Sequence, residues 1–350
     1  MFSSLPFSYM FLSVMGVGTL LSISSIHWLS IWAGLEVNLI GFLPMLTHQK
    51  STSESESAVK YFVVQALGSS FLIFGSLLAF GMSFTWDMYA GSFNKTLGLS
   101  VLVGGLCIKL GLFPFHYWLP SVMAGLPWLS CLLLATWQKL APLFLLLCLL
   151  ELSQSYLVIL AFCVISSGSS LLGGIGGMNQ TQIRALLAYS SIGHLGWMLF
   201  ATLHGEWVMK AYLMIYILIS LSMFTSLWLS DSGSMKNINN LKTSNFMQLS
   251  VMLLLLSLGG LPPLLGFISK WLVIMSSTSG PWLPVISALI IGSLMSLFYY
   301  LSLFFSIFLS FTKKHGLNQF LSKNSMVSTI SMLNIGGGLL ILSVNLLYSM

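Results

Sequence analysis

One carboxylate, three lysines and one histidine interrupt the apolar stretches of this 350-residue chain: Glu36, Lys109, Lys139, Lys270 and His194. A charged side chain at the centre of a bilayer costs about 2.5–3.5 kcal/mol on insertion scales, so such residues mark functional sites or pair with one another. Because burial disfavours the charged form of lysine, a buried lysine can exchange a proton, whereas an arginine stays charged. These residue types therefore predict a path for protons.

The competing interpretation is a set of static ion pairs that hold a helix bundle together. One buried carboxylate, Glu36, cannot neutralise Lys109, Lys139 and Lys270 at once. At least two of these lysines must then be solvated, uncharged or both. We therefore favour a proton relay that uses all four residues, with static pairing as the alternative.

Two histidines, His194 and His116, each allow two interpretations. His194 lies beside Ser190 and Ser191, whose hydroxyls can hold water, and it is either a fifth relay member or a packed, hydrogen-bonded histidine. The role of His116 is open between the same two readings. No two histidines on one predicted span are placed as paired haem ligands, and the four cysteines lack CxxC spacing. We therefore expect no metal and no cofactor on this chain.

The elements that position these residues must be membrane helices. Charged residues make up 6% of the chain and hydrophobic residues 57%, against about 25% charged residues in a soluble protein. Solidly apolar runs of about 20 residues recur, which indicates membrane-spanning helices and excludes a transmembrane barrel. The chain has no P-loop, no dinucleotide-binding fingerprint and no basic tract for nucleic acid.

We predict an all-α polytopic membrane protein that forms a single transmembrane domain. Its predicted spans, about eleven, lie at 5–25, 26–47, 58–84, 97–119, 128–150, 155–173, 183–203, 208–229, 246–275, 284–310 and 326–347. Lys109 and Lys270 fall on spans four and nine. A five-helix unit that repeats once must be inverted in the membrane, because five is odd. The repeats would cover about 5–150 and 155–310, with an extra helix at about 326–347.

Each buried lysine has a predicted helix break beside it. We expect breaks at Pro114, at Pro142 and at the glycines and prolines of 259–263, because proline removes a helical hydrogen bond and leaves a carbonyl unpaired. Unpaired carbonyls inside a membrane are tolerated where they line a watery cavity. The lysines should therefore lie next to polar cavities.

The basic residues of the predicted loops divide unevenly between the two sides of the membrane. Eight fall on one side and two on the other: Lys50, Lys60, Arg184, Lys236, Lys242, Lys313, Lys314 and Lys323 against Lys95 and Lys210. This bias predicts the N-terminus on the side of synthesis. The extreme hydrophobicity, with neither a basic n-region nor an Arg-rich transit segment, favours a protein made inside an organelle.

Six motifs together resemble one known family, the antiporter-like membrane subunits of respiratory complex I. The resemblance covers about residues 25–275, and its motifs are Trp32–Asn38, Lys109–Pro120, Trp137–Pro142, Asn179–Arg184, Ala188–His194 and Gly259–Trp271. It implies an inverted-repeat antiporter fold with broken helices. It also implies that Glu36 pairs with and modulates Lys109, that Lys139 is the connecting lysine, and that Lys270 is the exit-side lysine.

The resemblance implies a core membrane-arm subunit that contributes to proton translocation. The chain would lie in the mitochondrial inner membrane, with its N-terminus in the matrix and its C-terminus in the intermembrane space. NADH, FMN, iron–sulfur clusters and ubiquinone would belong to other subunits. The implied partners are other membrane-arm subunits, including further antiporter-like ones, and the lipid bilayer.

Two other functions compete with this expectation. A stand-alone cation/proton antiporter would need acidic residues that strip water from sodium, and the chain has one buried acid. A purely structural membrane subunit would need its buried charges only for assembly. A variant without those charges that assembles and pumps normally would favour that last reading.

Overall fold

The structure is a computed structural model, and the residues that it describes are built from α-helices. They are 8–47, 51–80, 95–152, 155–230, 245–262, 264–278, 280, 282–314, 334 and 336. The chain divides into two compact units, Met1–Ile165 and Ser166–Met350. The predicted all-α class is confirmed. This division follows from packing and does not test whether the two halves are related by symmetry. The boundaries of the two repeats therefore remain a prediction.

The first unit contains seven helices in its described part, together with the start of an eighth. They are α1 (Ser8–Ser24), α2 (Trp28–Leu46), α3 (Thr52–Phe80), α4 (Lys95–Leu110), α5 (Trp118–Gly125), α6 (Trp128–Ala135), α7 (Trp137–Leu152) and α8 (Tyr156–Met178), which continues into the second unit. Ser51 caps the start of α3, where the Glu54 N–H donates to Ser51 Oγ at 3.3 Å. The core lies between α2, α4 and α7, with residues such as Phe42, Leu106 and Leu146 fully buried.

Glycines bring the helices of the first unit into close contact. A Cβ added to Gly34 of α2 would lie 2.6 Å from the Ser22 backbone nitrogen of α1. A Cβ on Gly68 of α3 would lie 2.9 Å from Cγ of Lys109 on α4. Close approach through small residues is the usual packing mode of membrane helices, where no hydrophobic effect drives association. The α1–α2 pair is therefore in backbone contact, and so is the α3–α4 pair, where a Cβ on Gly75 would lie 2.9 Å from the Leu102 backbone nitrogen.

The described part of the second unit contains five further helices. They are α9 (Ile183–His204), α10 (Glu206–Ser230), α11 (Asn245–Gly259), α12 (Leu265–Ser277) and α13 (Leu283–Lys314), and α9 is buried along most of its length. Gly266 at the start of α12 lies so close to α11 that an added Cβ would overlap the carbonyl oxygen of Ser257.

Each of the first ten predicted spans contains a described helix. By length and composition, seven helical segments of the described chain could cross a membrane, among them the joined segment Trp128–Leu152. Four shorter apolar helices accompany them: Ser8–Ser24, Leu97–Leu110, Gln248–Gly259 and Leu265–Ser277. The predicted eleventh span, 326–347, lies outside the described residues apart from Asn334 and Gly336.

Two of the helix breaks share one geometry. α4 ends where Gly111 adopts φ +73°, and α11 ends where Gly260 adopts φ +82°. The next residue in each case, Leu112 or Leu261, donates its N–H to a carbonyl five residues back, at 3.0 Å and 3.3 Å. This is the Schellman ending, which glycine favours because it reaches positive φ without strain.

The third break differs from its predicted position. Helix continues through Pro142, which lies inside α7, and the interruption falls at Thr136 between α6 and α7. Pro142 is the sixth residue of α7, so little of the helix precedes it for its ring to disrupt. The hydroxyl of Thr136 donates to the Leu132 carbonyl at 2.7 Å, which satisfies one carbonyl at the end of α6.

Candidate functional site

Glu36 of α2 and Lys109 of α4 form an ion pair inside the first unit. Glu36 Oε1 lies 3.8 Å from Lys109 Nζ, and the side chains are 25% and 4% exposed. Oε1 is a buried atom that accepts no hydrogen bond in the described structure. The contact is thus mainly electrostatic, and Oε1 keeps capacity for a donor such as water.

Lys139 of α7 lines the same small cavity as Lys109. The cavity has a volume of about 20 Å³, and its polar lining is Asn38, Gln65, Lys109, Gln138 and Lys139. A polar cavity holds a water molecule once about 10–15 Å³ is open. Lys139 is 4% exposed and Lys109 is 7% exposed as whole residues. Lys109 and Lys139 therefore lie next to a polar cavity, as the sequence predicts.

A reciprocal amide pair connects α2 to α7 at this cavity. Asn38 Nδ2 donates to Gln138 Oε1 at 2.8 Å, and Gln138 Nε2 donates to Asn38 Oδ1 at 3.2 Å. Asn38 lies two residues after Glu36, and Gln138 directly precedes Lys139. The pair therefore links the helix that carries the acid to the helix that carries the second lysine.

Two side chains donate hydrogen bonds to carbonyl groups at the end of α4. Gln65 of α3 donates to the Lys109 carbonyl at 3.2 Å, and Trp118 of α5 donates to the Ile108 carbonyl at 3.1 Å. These carbonyls lie in the last turn of α4, where the helix offers no internal donor. Lys109 itself lies in the last turn of α4, where the helix dipole favours a basic residue.

Lys270 occupies the corresponding break of the second unit. Its Nζ donates to the Gly259 carbonyl at 2.9 Å, and the residue is 8% exposed. Gly259 is the last residue of α11, so the lysine of α12 reaches back to the carbonyl end of the preceding helix. The sequence predicts that the Gly259 carbonyl is freed by the following prolines, and the structure identifies its partner as Lys270.

His194 lies with Lys270 at a second polar cavity. This cavity has a volume of about 10 Å³, and Ser170, Ser190, His194, Lys270, Ser293 and Ser296 form its polar wall. His194 Nδ1 is 2.9 Å from the Tyr212 hydroxyl of α10. The Tyr216 ring packs on the imidazole with centroids 5.2 Å apart. The second unit thus gathers a histidine, a lysine and several hydroxyls.

His116 is buried in the irregular stretch between α4 and α5. Its Nδ1 is 3.2 Å from the Pro114 carbonyl, and its ring lies 4.1 Å from that of Tyr117. It does not line the cavity that Lys109 and Lys139 share. Its geometry is that of a local structural contact.

The predicted site residues therefore form two groups. Glu36, Lys109 and Lys139 lie together in the first unit, and His194 and Lys270 lie together in the second. Sequence reasoning assigned no role to Asn38, Gln138, Gln65 or Tyr212. Asn38 and Gln138 lie inside two of the six motifs. Their sequence positions close to Glu36 and Lys139 could therefore have indicated a role at the site. Within the described residues, no group of three or more His, Cys, Asp or Glu could hold a metal ion.

Known proteins with similar sequences extend this picture. The family model described as NADH:quinone oxidoreductase/Mrp antiporter, TM, matches residues 25–298. NADH-ubiquinone oxidoreductase chain 2 of Anopheles gambiae is 42% identical over 337 residues, which is 93% of this chain and 94% of the relative. The protein of the same name from Locusta migratoria is 35% identical over 331 residues, covering 93% and 92% of the two chains.

Solved structures share the fold. A chain of respiratory complex I from Thermus thermophilus superposes with a TM-score of 0.82 at 27% identity, covering 98% of this chain and 78% of that one. A chain of the Mrp complex from Dietzia sp. DQ12-45-1b gives a TM-score of 0.75 at 16% identity, over 84% and 59% of the two chains, which indicates likeness of fold alone. The antiporter-like fold is confirmed, and the chain belongs to the NADH:quinone oxidoreductase/Mrp antiporter transmembrane family.

Proposed function

We propose that this chain is a core membrane-arm subunit of respiratory complex I and contributes to proton translocation across the mitochondrial inner membrane. As part of that NADH:ubiquinone reductase it works beside other membrane-arm subunits, further antiporter-like ones included. NADH oxidation and ubiquinone reduction, with FMN and iron–sulfur clusters, belong to other subunits. The N-terminus would lie in the matrix and the C-terminus in the intermembrane space.

The Glu36–Lys109 ion pair carries this proposal. At 3.8 Å, two unit charges attract by about 4 kcal/mol at an effective dielectric constant of about 20. Moving one proton against about 150 mV costs roughly 3.5 kcal/mol. Making or breaking this single pair therefore involves about the energy that one translocated proton requires.

The proposed relay begins when a neighbouring subunit perturbs the Glu36–Lys109 pair. Lys109 then releases a proton into the cavity that it shares with Lys139, and the neutral amine of Lys139 accepts it. Lys270, with His194 beside it, passes a proton towards the far side. Polar cavities beside Lys109, Lys139 and Lys270 support this order, since proton transfer needs hydrogen-bonded groups or water between the amines.

Two inverted five-helix repeats, at about 5–150 and 155–310, are part of the same proposal. The support for them is local: α4 and α11 both end in a Schellman motif. Lys109 lies in the last turn of α4, and Lys270 donates to the last carbonyl of α11. Paired broken helices are the pattern expected of transporters built from inverted repeats.

The test is a set of lysine variants in the assembled complex. Lys109→Ala and Lys139→Ala should each depress both proton pumping and coupled quinone reduction, while Lys60→Ala, an exposed lysine of α3, should leave both unchanged. Lys139→Arg separates a relay from a static charge, because arginine keeps the charge but does not exchange its proton. The measurements are the proton-to-electron ratio and the amount of assembled complex on a native gel. A normal ratio in Lys109→Ala or Lys139→Ala would rule out the relay.

A further inference from the structure

A cavity far larger than the two polar ones lies between α4 and α8 in the first unit. Its volume is about 320 Å³, against about 20 Å³ for the cavity beside Lys109 and Lys139. Its lining comes from residues 97–107 of α4, from residues 155–165 at the start of α8, and from residues 113–115 between α4 and α5. None of the residues of the proposed relay lines it.

The wall of this cavity is almost entirely apolar. The Ser100 hydroxyl donates to the Leu97 carbonyl at 2.8 Å, so its hydrogen is already used within α4. Cys107 is a free, buried cysteine, which behaves as a small hydrophobic residue. An apolar cavity of about 150 Å³ in another protein already takes up benzene. A wall of this composition around about 320 Å³ therefore favours an apolar ligand.

The dimensions of the cavity match a single hydrocarbon chain. Residues 97–107 and 155–165 each rise by about 15 Å along their helices, which is half of a hydrocarbon core about 30 Å thick. The volume of about 320 Å³ divided by about 15 Å gives a mean cross-section of about 21 Å², or roughly 5 Å across. Carbon atoms in contact lie about 3.5–4 Å apart, so one acyl chain fits. An α-helix with its side chains, about 10–12 Å across, is too wide to enter.

The cavity opens on faces that meet lipid when the helices span a membrane. Leu97 is 71% exposed, Leu157 is 63% exposed, and Phe115 is 45% exposed. The segment Tyr156–Met178 is long and apolar enough to cross a membrane, and Leu97–Leu110 is one of the shorter apolar helices. A hydrocarbon chain can therefore enter the cavity sideways from the bilayer.

A polar group at the start of α8 marks one end of the cavity. Ser155 lines the cavity, and its hydroxyl oxygen is buried without a hydrogen-bond partner in the described structure. The Ser155 carbonyl accepts the N–H groups of Val158 and Ile159 at 3.1 Å and 3.2 Å, so the helix begins here. The N–H groups of Tyr156 and Leu157, in the first turn, have no partner inside the helix. A hydroxyl beside a helix N-terminus suits the phosphate of a lipid headgroup.

We propose that this cavity binds one phospholipid from the leaflet on the side where α4 and α8 begin. One acyl chain lies between the two helices, and the phosphate lies at Ser155 and the first turn of α8. Binding is non-covalent. Since the relay residues are not in the lining, this inference goes beyond the proposed function and does not rest on it.

The test uses the assembled complex in phosphatidylcholine vesicles that contain a small fraction of phosphatidylcholine with a photoreactive diazirine in its acyl chain. After illumination, peptide mass spectrometry locates the label, which we expect on residues 97–107 and 155–165. Gly104→Phe puts a ring into the cavity, where an added Cβ meets nothing within 4 Å. It should reduce this label by about tenfold or more, equivalent to about 1.4 kcal/mol of lost affinity. Ala161→Phe fills the same space from α8 and replaces it if Gly104→Phe fails to assemble.

Leu160→Phe is the matched control for the filling variants. Leu160 is an exposed residue of α8 that does not line the cavity, so this variant should be labelled as the wild type is. Absence of label from both segments of the wild type, or equal label in the wild type and in an assembled filling variant, would overturn the proposal. A photoreactive amino acid at position 157 that crosslinks to another subunit instead of to lipid would overturn it as well.

Ser155→Ala tests the headgroup end of the site. Loss of one hydrogen bond should lower the label roughly two- to tenfold while its position in the chain stays the same. Equal labelling of Ser155→Ala and the wild type would refute the contact between Ser155 and the phosphate. Labelling requires no turnover, so these results are independent of how the lysine variants pump.

Discussion

Replacement of Glu36 by glutamine is the sharpest test of the ion pair. Glu36→Gln preserves the size and most of the shape of the side chain but removes its charge. Lys109 then loses an attraction of about 4 kcal/mol, given the 3.8 Å separation and an effective dielectric constant of about 20. This exceeds the roughly 3.5 kcal/mol needed to move one proton against about 150 mV. We therefore expect both the proton-to-electron ratio and the coupled quinone reductase rate to fall.

The assay compares Glu36→Gln with two related variants in membranes that contain the assembled complex. Glu36→Asp keeps the carboxylate one methylene further from Lys109 and should retain part of the activity. Glu56→Gln removes an exposed carboxylate of α3 and should behave as the wild type. Rates are normalised to complex content on a native gel, because an unpaired buried lysine also costs stability. An unchanged ratio and rate in Glu36→Gln would refute the role given to the pair.

Two further predictions concern stability. Asn38→Leu should destabilise the subunit by about 1–3 kcal/mol, because it leaves the half-buried Gln138 amide without its partner. Adding Gln138→Leu should recover part of the loss, and thermal unfolding of the four members of this double-mutant cycle measures the coupling. Gly266→Ala should lower the amount of assembled complex severely, since the new methyl group overlaps the Ser257 carbonyl. Gly104→Ala, with open space at its Cβ, should assemble normally, and the same native gel shows both results.

The buried charges could be found from the sequence because their cost in a membrane singles them out. The apolar runs contain Lys109, Lys139 and Lys270 at positions where an apolar residue would cost less free energy to insert into the membrane. All three lysines are buried in the structure. Sequence spacing also predicted that the break at 259–263 frees a carbonyl. Such inferences succeed because they depend on local composition alone.

The partners of these residues could not be found in the same way. Asn38 and Gln138 are separated by 100 positions. The cost of placing an amide in an apolar helix does not indicate which residue that amide will hydrogen-bond. The break at Thr136 was assigned to Pro142 because proline is a strong local signal, but its effect depends on how much helix precedes it. Tyr212 was overlooked because tyrosine is common in membrane helices and because its partner, His194, lies on a different helix.

Close packing at the glycines decides which atoms of the Glu36–Lys109 pair can travel. The backbones of α1 and α2 touch at Gly34, so the helix that carries Glu36 cannot slide without losing that contact. The Lys109 side chain crosses α3 at Gly68, where its Cγ is confined. The outer arm of the lysine, from Cδ to Nζ, extends beyond this contact. We therefore expect the Glu36–Lys109 pair to open by rotation of the three outer side-chain atoms of Lys109 beside the water-sized cavity, while the surrounding helices stay in place.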